Sequence, residues 1–372
     1  MTNTSTPQRE LCQTRLLTIA LLIGLLALVS LSAVGQRVIT TLTDGNSTFT
    51  YFNGTVDLNA LISAATANDT ILLPGGPIDF NSTIVVDKPL VFIGAGYAQA
   101  GCPVTQETYL LPPNGIYAMF TTLHIAATGS GSSFHGIYID RNVEHESGVD
   151  GIFYTRCRFG YAFRLGMAGS FSTPSATNIT IRECVFKEGI TMGNSSTSAI
   201  GLSVFNSILE GGLNAGPGFS SGTLDHCILL NPGLNGAVNN GVSYNSCVIT
   251  DVDASLAIIE QACFNSCLFV LGGNGTVTPN SCWTGNGNEW VSNTPPAFIN
   301  VLDLGQYVIT DDHHLSLGSI GIDMGAGIYG GQTPFKADGV PFNPHWTALN
   351  VPSLTQGGLL APVTIGGEAQ SY

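Results

Sequence analysis

The sequence predicts an all-β chain built as a parallel β-helix solenoid, with a short N-terminal capping helix and an irregular C-terminal cap. Three observations carry this. An apolar phrase returns along the chain at a near-fixed interval. Gly, Asn, Ser and Thr separate short β-branched or aromatic runs, the pattern of many short strands joined by turns. Charged residues make up only 10% of the 372 residues and hydrophobic ones 44%, too apolar for disorder.

The phrase reads YTRCRF (154–159), IRECVF (181–186), VFNSIL (204–209), LDHCIL (224–229), YNSCVI (244–249) and FNSCLF (264–269). Its template is apolar, two polar-leaning residues, Cys or Ser, any residue, apolar. From Ser207 the key position steps by twenty to Cys227, Cys247 and Cys267; upstream, Gly136 in FHGIYI, Cys157 and Cys184 continue it with steps in the twenties. Such a period means a solenoid. A leucine-rich repeat would carry a ladder of Asn or Cys four residues beyond the key position. The chain has Glu188, Gly211, Asn231, Asp251 and Leu271 there. A parallel β-helix stacks its coils about 4.8 Å apart. The apolar residues three before and two after the key position differ in parity, so a straight strand would split them between faces. A corner between them lets both point inward. Stacking like positions then builds a continuous core, and cysteine is small and apolar enough for the slot. Ser207 in the same slot supports packing rather than chemistry.

At the N-terminus, Arg9 and Arg15 precede LLTIALLIGLLALVSLSAVG (16–35), with Ala33 and Gly35 at −3 and −1 of a cleavage before Gln36. Residues 1–35 therefore read as a signal peptide, with an uncleaved signal anchor as the alternative. The protein is expected to be secreted or held at the cell surface, with no membrane attachment once the leader is removed. Residues 36–310 read as the β-helix with its N-terminal cap, and 311–372 as a C-terminal cap and terminal strand. Within the first unit, TVDLNALISAATAND (55–69) has the apolar spacing of a short helix, and TILLPGG follows as a strand into a turn. Residues 358–372 look like one terminal strand.

The stretches LNALISAATANDTILLPGG and STIVVDKPLVFIGAG (82–96) resemble the opening of secreted right-handed parallel β-helix proteins of the pectate-lyase-like superfamily. Residues 313–346 resemble the C-terminal segment of uncharacterised bacterial secreted β-helix proteins. The resemblance covers most of residues 38–372 and implies a right-handed β-helix of about ten coils. One such fold hosts lyases, hydrolases, adhesins and inert scaffolds.

The superfamily's chemistry suggests tests. Polygalacturonase-like hydrolases carry Asn-Thr-Asp, Asp-Asp, His-Gly and Arg-x-Lys in that order. Here His135-Gly136 precedes the one Asp-Asp pair, Asp311-Asp312, and the other two motifs are missing. A two-carboxylate glycosidase site is not supported. His313 and His314 in TDDHHL suggest metal, but neighbours on a strand face opposite ways, which favours a structural role. The Arg-x-Pro-x-x-Arg signature of pectate lyases is also missing. Still, five of the eight arginines lie between 141 and 182: Arg141, Arg156, Arg158, Arg164 and Arg182. With Cys157 pointing in, Arg156 and Arg158 are expected to point out. Asp140, Glu144, Glu146 and Asp150 lie one coil earlier. A mixed face of Arg156, Arg158, Arg182, Asp140 and Asp150 would suit a uronate-bearing polysaccharide, since Arg forks match carboxylates. The alternative is inter-coil ion pairs on a solvated wall.

Net charge is −14 with three lysines, which disfavours nucleic acid. Eight cysteines follow the leader, an even count that hints at disulfides in an exported protein. The in-register side chains of Cys157, Cys184, Cys227, Cys247 and Cys267 argue instead for free, buried thiols. No C-x-x-C pair calls for zinc. The eight Asn-x-Ser/Thr sequons matter only in a eukaryotic secretory pathway. Two functions follow: a secreted polysaccharide-binding protein or divergent lyase, or a non-enzymatic surface or matrix protein or adhesin. No cofactor is expected, calcium excepted if the chain is a lyase.

Overall fold

The structure, a computed structural model, describes residues 37–337 and 339 except 45, 53–55, 81, 99–106, 112–120, 167–175, 193–198, 215–218, 231–240, 253–262, 272–286, 293–295 and 302. It also describes short strands at 345–350, 355–356, 359–360 and 364–368. The expected signal peptide lies outside the described residues. Among those described, no helix is long and apolar enough to cross a membrane.

The chain is all-β, and most strands pair in parallel within three stacked sheets of 13, 10 and 6 strands. One repeat shows the path. Phe153–Thr155 lies in sheet 1, Arg158–Phe159 in sheet 2 and Phe163–Leu165 in sheet 3. The chain then returns to sheet 1 at Thr180–Arg182. Each strand pairs with its counterpart in the next repeat: Tyr154 with Ile181, Phe159 with Phe186, Phe163 with Ile190. This arrangement is compatible with a β-helix.

Register turns the sequence period into a core. Phe134, Tyr154, Ile181, Val204, Leu224, Tyr244 and Phe264 form the inward column of sheet 1, all buried. Ile139, Phe159, Phe186, Leu209, Leu229, Ile249 and Phe269 do the same in sheet 2. The two columns belong to one hydrophobic cluster. The parity problem is solved by the expected corner. In successive repeats Arg156, Glu183, Asn206, His226, Ser246 and Ser266 adopt positive φ between 44° and 52°. This left-handed conformation turns the chain so that the residues before and after both face in. Gly136 takes the same conformation, and Tyr138 pairs with Arg158. The key position of that repeat is therefore Ile137, one residue later than expected.

The key slot does more than pack. The Cys157 N–H donates to Cys184 Sγ at 3.3 Å, Cys184 N–H to Ser207 Oγ at 3.0 Å, and Cys267 N–H to Asn288 Oδ1 at 2.9 Å. The same side chains donate back to corner carbonyls, Ser207 Oγ to Phe205 O at 2.7 Å and Cys247 Sγ to Asn245 O at 3.3 Å. A buried corner N–H needs a partner, and a short side chain that both accepts and donates supplies it. The five ladder cysteines are free and buried, as expected. Cys102 and Cys282 lie outside the described residues.

The N-terminal end is closed by a hairpin, β1 (Arg37–Thr43) and β2 (Asn46–Phe52). β1 pairs antiparallel with both β2 and β3 (Thr70–Leu72). The helix α1 is shorter than expected, Leu58–Ala64, because Asp57 caps it through the Ala60 N–H at 3.0 Å. Leu58 and Ile62 face the core.

The described part of the C-terminal segment runs along the outer face of sheet 2. Val185, Ile208, Ile228, Val248 and Leu268 point outward in one column, and Phe298, Ala326, Ile328 and Phe335 cover them in a second cluster. The Asn206 side chain donates to Ile328 O at 2.8 Å and Gly330 O at 2.9 Å, and Gly327 N–H to Ser246 O at 2.8 Å. A side chain at Gly330 would collide with the His226 ring, so the backbone closes onto the corner ladder only because glycine stands there. We call residues 297–337 the strap. The expected terminal strand at 358–372 is replaced by Leu359–Leu360, paired with Thr355–Gln356, and Thr364–Glu368, paired with His345–Asn350.

Candidate functional site

The five candidate residues do not converge. Arg156 was expected to face solvent; it is 1% exposed. The left-handed corner breaks the alternation on which that expectation rested and folds the side chain along the wall. Its Nε bonds Glu183 Oε2 at 2.8 Å, and Glu183 is 2% exposed. Burial raises the Glu183 pKa against the pull of Arg156 and the nearby Lys336. Arg182 sits on the outer face of sheet 1, stacked over the Phe205 ring at 4.9 Å. Asp150 is exposed and accepts from the Thr177 hydroxyl and from Asn178 Nδ2 at 2.8 Å. Those hydrogen bonds lower its pKa. Glu144 and Arg164 form an inter-repeat ion pair at 2.6 Å on sheet 3.

Asp140 and Arg158 do share a site, and the sequence reading missed what joins them. The outward column of sheet 2 runs Pro77, Tyr109, Tyr138, Arg158 before it reaches Val185. Tyr109 and Tyr138 stack at 4.5 Å, and the Arg158 guanidinium lies 4.8 Å from the Tyr138 centroid. Tyr109 donates to Asp140 Oδ2 at 2.7 Å and Tyr138 to Oδ1 at 3.4 Å. Gly160 lies above Asp140, where any Cβ would strike the carboxylate. Arg141 is 3% exposed and faces Tyr161, and its Nε has no hydrogen-bond partner. The strap meets this cluster at one edge: Tyr307 approaches Arg158 at 5.8 Å and donates its N–H to Glu210. A signal existed in the sequence. Extending the repeat phrase one residue at a time places Tyr138 in the Arg158 position.

The cluster offers hydrogen-bonding groups and no evident base. Burial raises the pKa of both Tyr109 and Tyr138, with Asp140 adding to the rise, so neither is a base at neutral pH. The ring faces are used within the ladder. The groups left for further contacts are ring edges, hydroxyls, a carboxylate and the Arg158 guanidinium, a set that bonds hydroxyls and carboxylates.

Three histidines have partners within the fold. His313 is buried between Phe298 and Tyr307, and His314 on the opposite face bonds Asp312 at 2.6 Å. His145 points into the core, bonded to the Tyr154 hydroxyl at 2.9 Å and Arg164 O at 2.8 Å. Burial lowers its pKa to about 4. Among the described residues no group of three His, Cys, Asp or Glu side chains is placed to hold a metal ion. Comparison with family models, curated proteins and solved structures gave no match.

Proposed function

We propose that the chain is a non-catalytic, right-handed parallel β-helix of the pectate-lyase-like type, exported from the cell, that binds an extracellular polysaccharide at the Tyr109–Tyr138–Asp140–Arg158 cluster. One observation carries the reading. The outward column of sheet 2 changes from apolar to Tyr and Arg at Arg158, where the strap cluster is flanked by Tyr138 and Tyr307 lies 5.8 Å from the guanidinium. An arginine among tyrosine hydroxyls favours a polymer bearing uronate groups. The lyase alternative is weakened because Arg156 is consumed by Glu183 and Arg182 and Asp150 lie on other walls.

The test is the exported protein on a panel of acidic and neutral polysaccharides, with and without calcium. Binding, ultraviolet absorbance of unsaturated uronates and reducing ends are followed together. Binding to an acidic polymer without new absorbance or ends is expected, weakened at least about tenfold by Arg158→Ala or Tyr138→Ala, one lost charge-assisted contact. New absorbance would overturn the non-catalytic reading. No binding would overturn the ligand class. It would then favour a surface or matrix structural protein, which the ion pairs Arg156–Glu183 and Arg164–Glu144 also fit.

A further inference from the structure

Strand β2 is the outermost strand of sheet 1, and among the described residues nothing pairs with its far side. It is seven residues long, NSTFTYF, without proline. Phe49 and Tyr51 project from it 56% and 60% exposed, two of the larger apolar exposures outside the strap. Edge strands of this kind are templates for pairing, and proteins ordinarily blunt them with charge, proline or a bulge. This one carries none of these. In a chain of net charge −14, residues 45–56 are uncharged, which limits like-charge repulsion between copies at this edge.

We infer that β2 pairs antiparallel with β2 of a second copy, joining two molecules through their N-terminal ends. The strand is self-complementary about Phe49. That centre sets Asn46 opposite Phe52, Ser47 opposite Tyr51 and Thr48 opposite Thr50, and places the two Phe49 rings together. The flanking charges match too. Arg37 lies across from Phe52 on β1, with its guanidinium over that ring at 4.8 Å and Nη1 without a hydrogen-bond partner. Asp44 is at the other end of the hairpin, about 24 Å away at 3.4 Å per residue. Antiparallel pairing brings the Arg37 end of each copy to the Asp44 end of the other, twice per dimer, as a two-fold interface requires. A single strand pair buries less than the roughly 1,600 Å² of a standard interface, so the association is concentration-dependent.

The experiment is sedimentation velocity of the exported protein, under reducing conditions, from about 1 to 100 µM. The mature N-terminus is read by mass spectrometry. A shift to twice the monomer mass is expected within that range. Phe49→Lys, a substitution at an exposed position, is expected to move the midpoint upward at least about tenfold. Arg37→Glu is expected to weaken association, and Arg37→Glu with Asp44→Lys to move it back toward wild type. Without reductant, Phe49→Cys is expected to form a covalent dimer that wild type does not form. A monomer throughout would overturn the inference. So would a dimer indifferent to Phe49→Lys, which would place the contact on another surface.

Discussion

Along one outward column of sheet 2, Tyr109, Tyr138 and Arg158 stand at one end and Val185, Ile208, Ile228, Val248 and Leu268 at the other. The backbone position is the same in every repeat. Under the strap the column is a second core, each side chain contributing roughly 1.5–3 kcal/mol by burial. At the strap's edge the same position carries two tyrosines whose hydroxyls bond Asp140 and one guanidinium, that of Arg158, lying over the Tyr138 ring. The difference teaches that the outer face of a repeat-built parallel sheet does not declare its role by its own periodicity. What lies over the wall decides whether an outward residue is core or surface.

The comparison is broken most severely at its boundary. Glu183→Ala takes away the carboxylate bonded to buried Arg156, and is expected to cost about 3–5 kcal/mol in urea unfolding. Replacing both residues with Gly, which also suits the left-handed corner, should cost less than the single change. If the single change is mild, Arg156 is wetter than its 1% exposure implies. Next in size, Ile228→Ala beneath the strap is expected to cost about 2–4 kcal/mol. Tyr138→Ala, at the half-buried edge of the strap cluster, should cost less than that while weakening binding at least about tenfold. Equal losses at both positions would erase the distinction between covered and bare wall.

Acid sharpens the comparison next. His135 and His145 lie in the repeats beneath the bare cluster, and burial lowers both pKa values to about 4, below the usual 6.5. Each stays neutral when folded and binds a proton more readily when unfolded. Stability is therefore complete above about pH 6.5 and falls as pH drops toward 4, by up to about 3 kcal/mol for fully buried His145. His313 in the strap is shifted the same way. Hydrogen exchange near pH 5 is expected to show the 134–165 repeats loosening before those at 224–249, and His145→Gln should reduce the difference. The smallest effect belongs to the ladder. Cys247→Ser keeps both hydrogen-bonding roles and should change stability by no more than about 1 kcal/mol. Cys247→Ala leaves the corner groups unpaired and should cost about 1–3 kcal/mol.

The repeat register was legible because stacking forces like residues into like positions; the step from Cys227 to Cys247 to Cys267 is the spacing of paired strands. The buried thiols were legible for the same reason. Arg156 was not, because alternation predicts side-chain direction only within a strand and the residue sits in a left-handed corner. The strap was not, because a Gly- and Pro-rich run without period does not say which surface it covers. Half the site, Asp140 and Arg158, came from clustered charge. Tyr109 and Tyr138 were missed because an aromatic in a strand reads first as core, and only the pairing with Arg158 turns it outward.

The strap also bears on how the chain acquires its shape. Most contacts in such an array join neighbouring repeats, so repeats can order locally and in sequence. The strap joins residues 122 positions apart at Asn206 and Ile328, and 239 apart at Tyr97 and Lys336. Such closures are slow. During synthesis the apolar column from Val185 to Leu268 stays bare until residues 297–337 have emerged. Once docked, the strap couples repeats that would otherwise fray one by one, and the array gains the all-or-none melting of a globular domain.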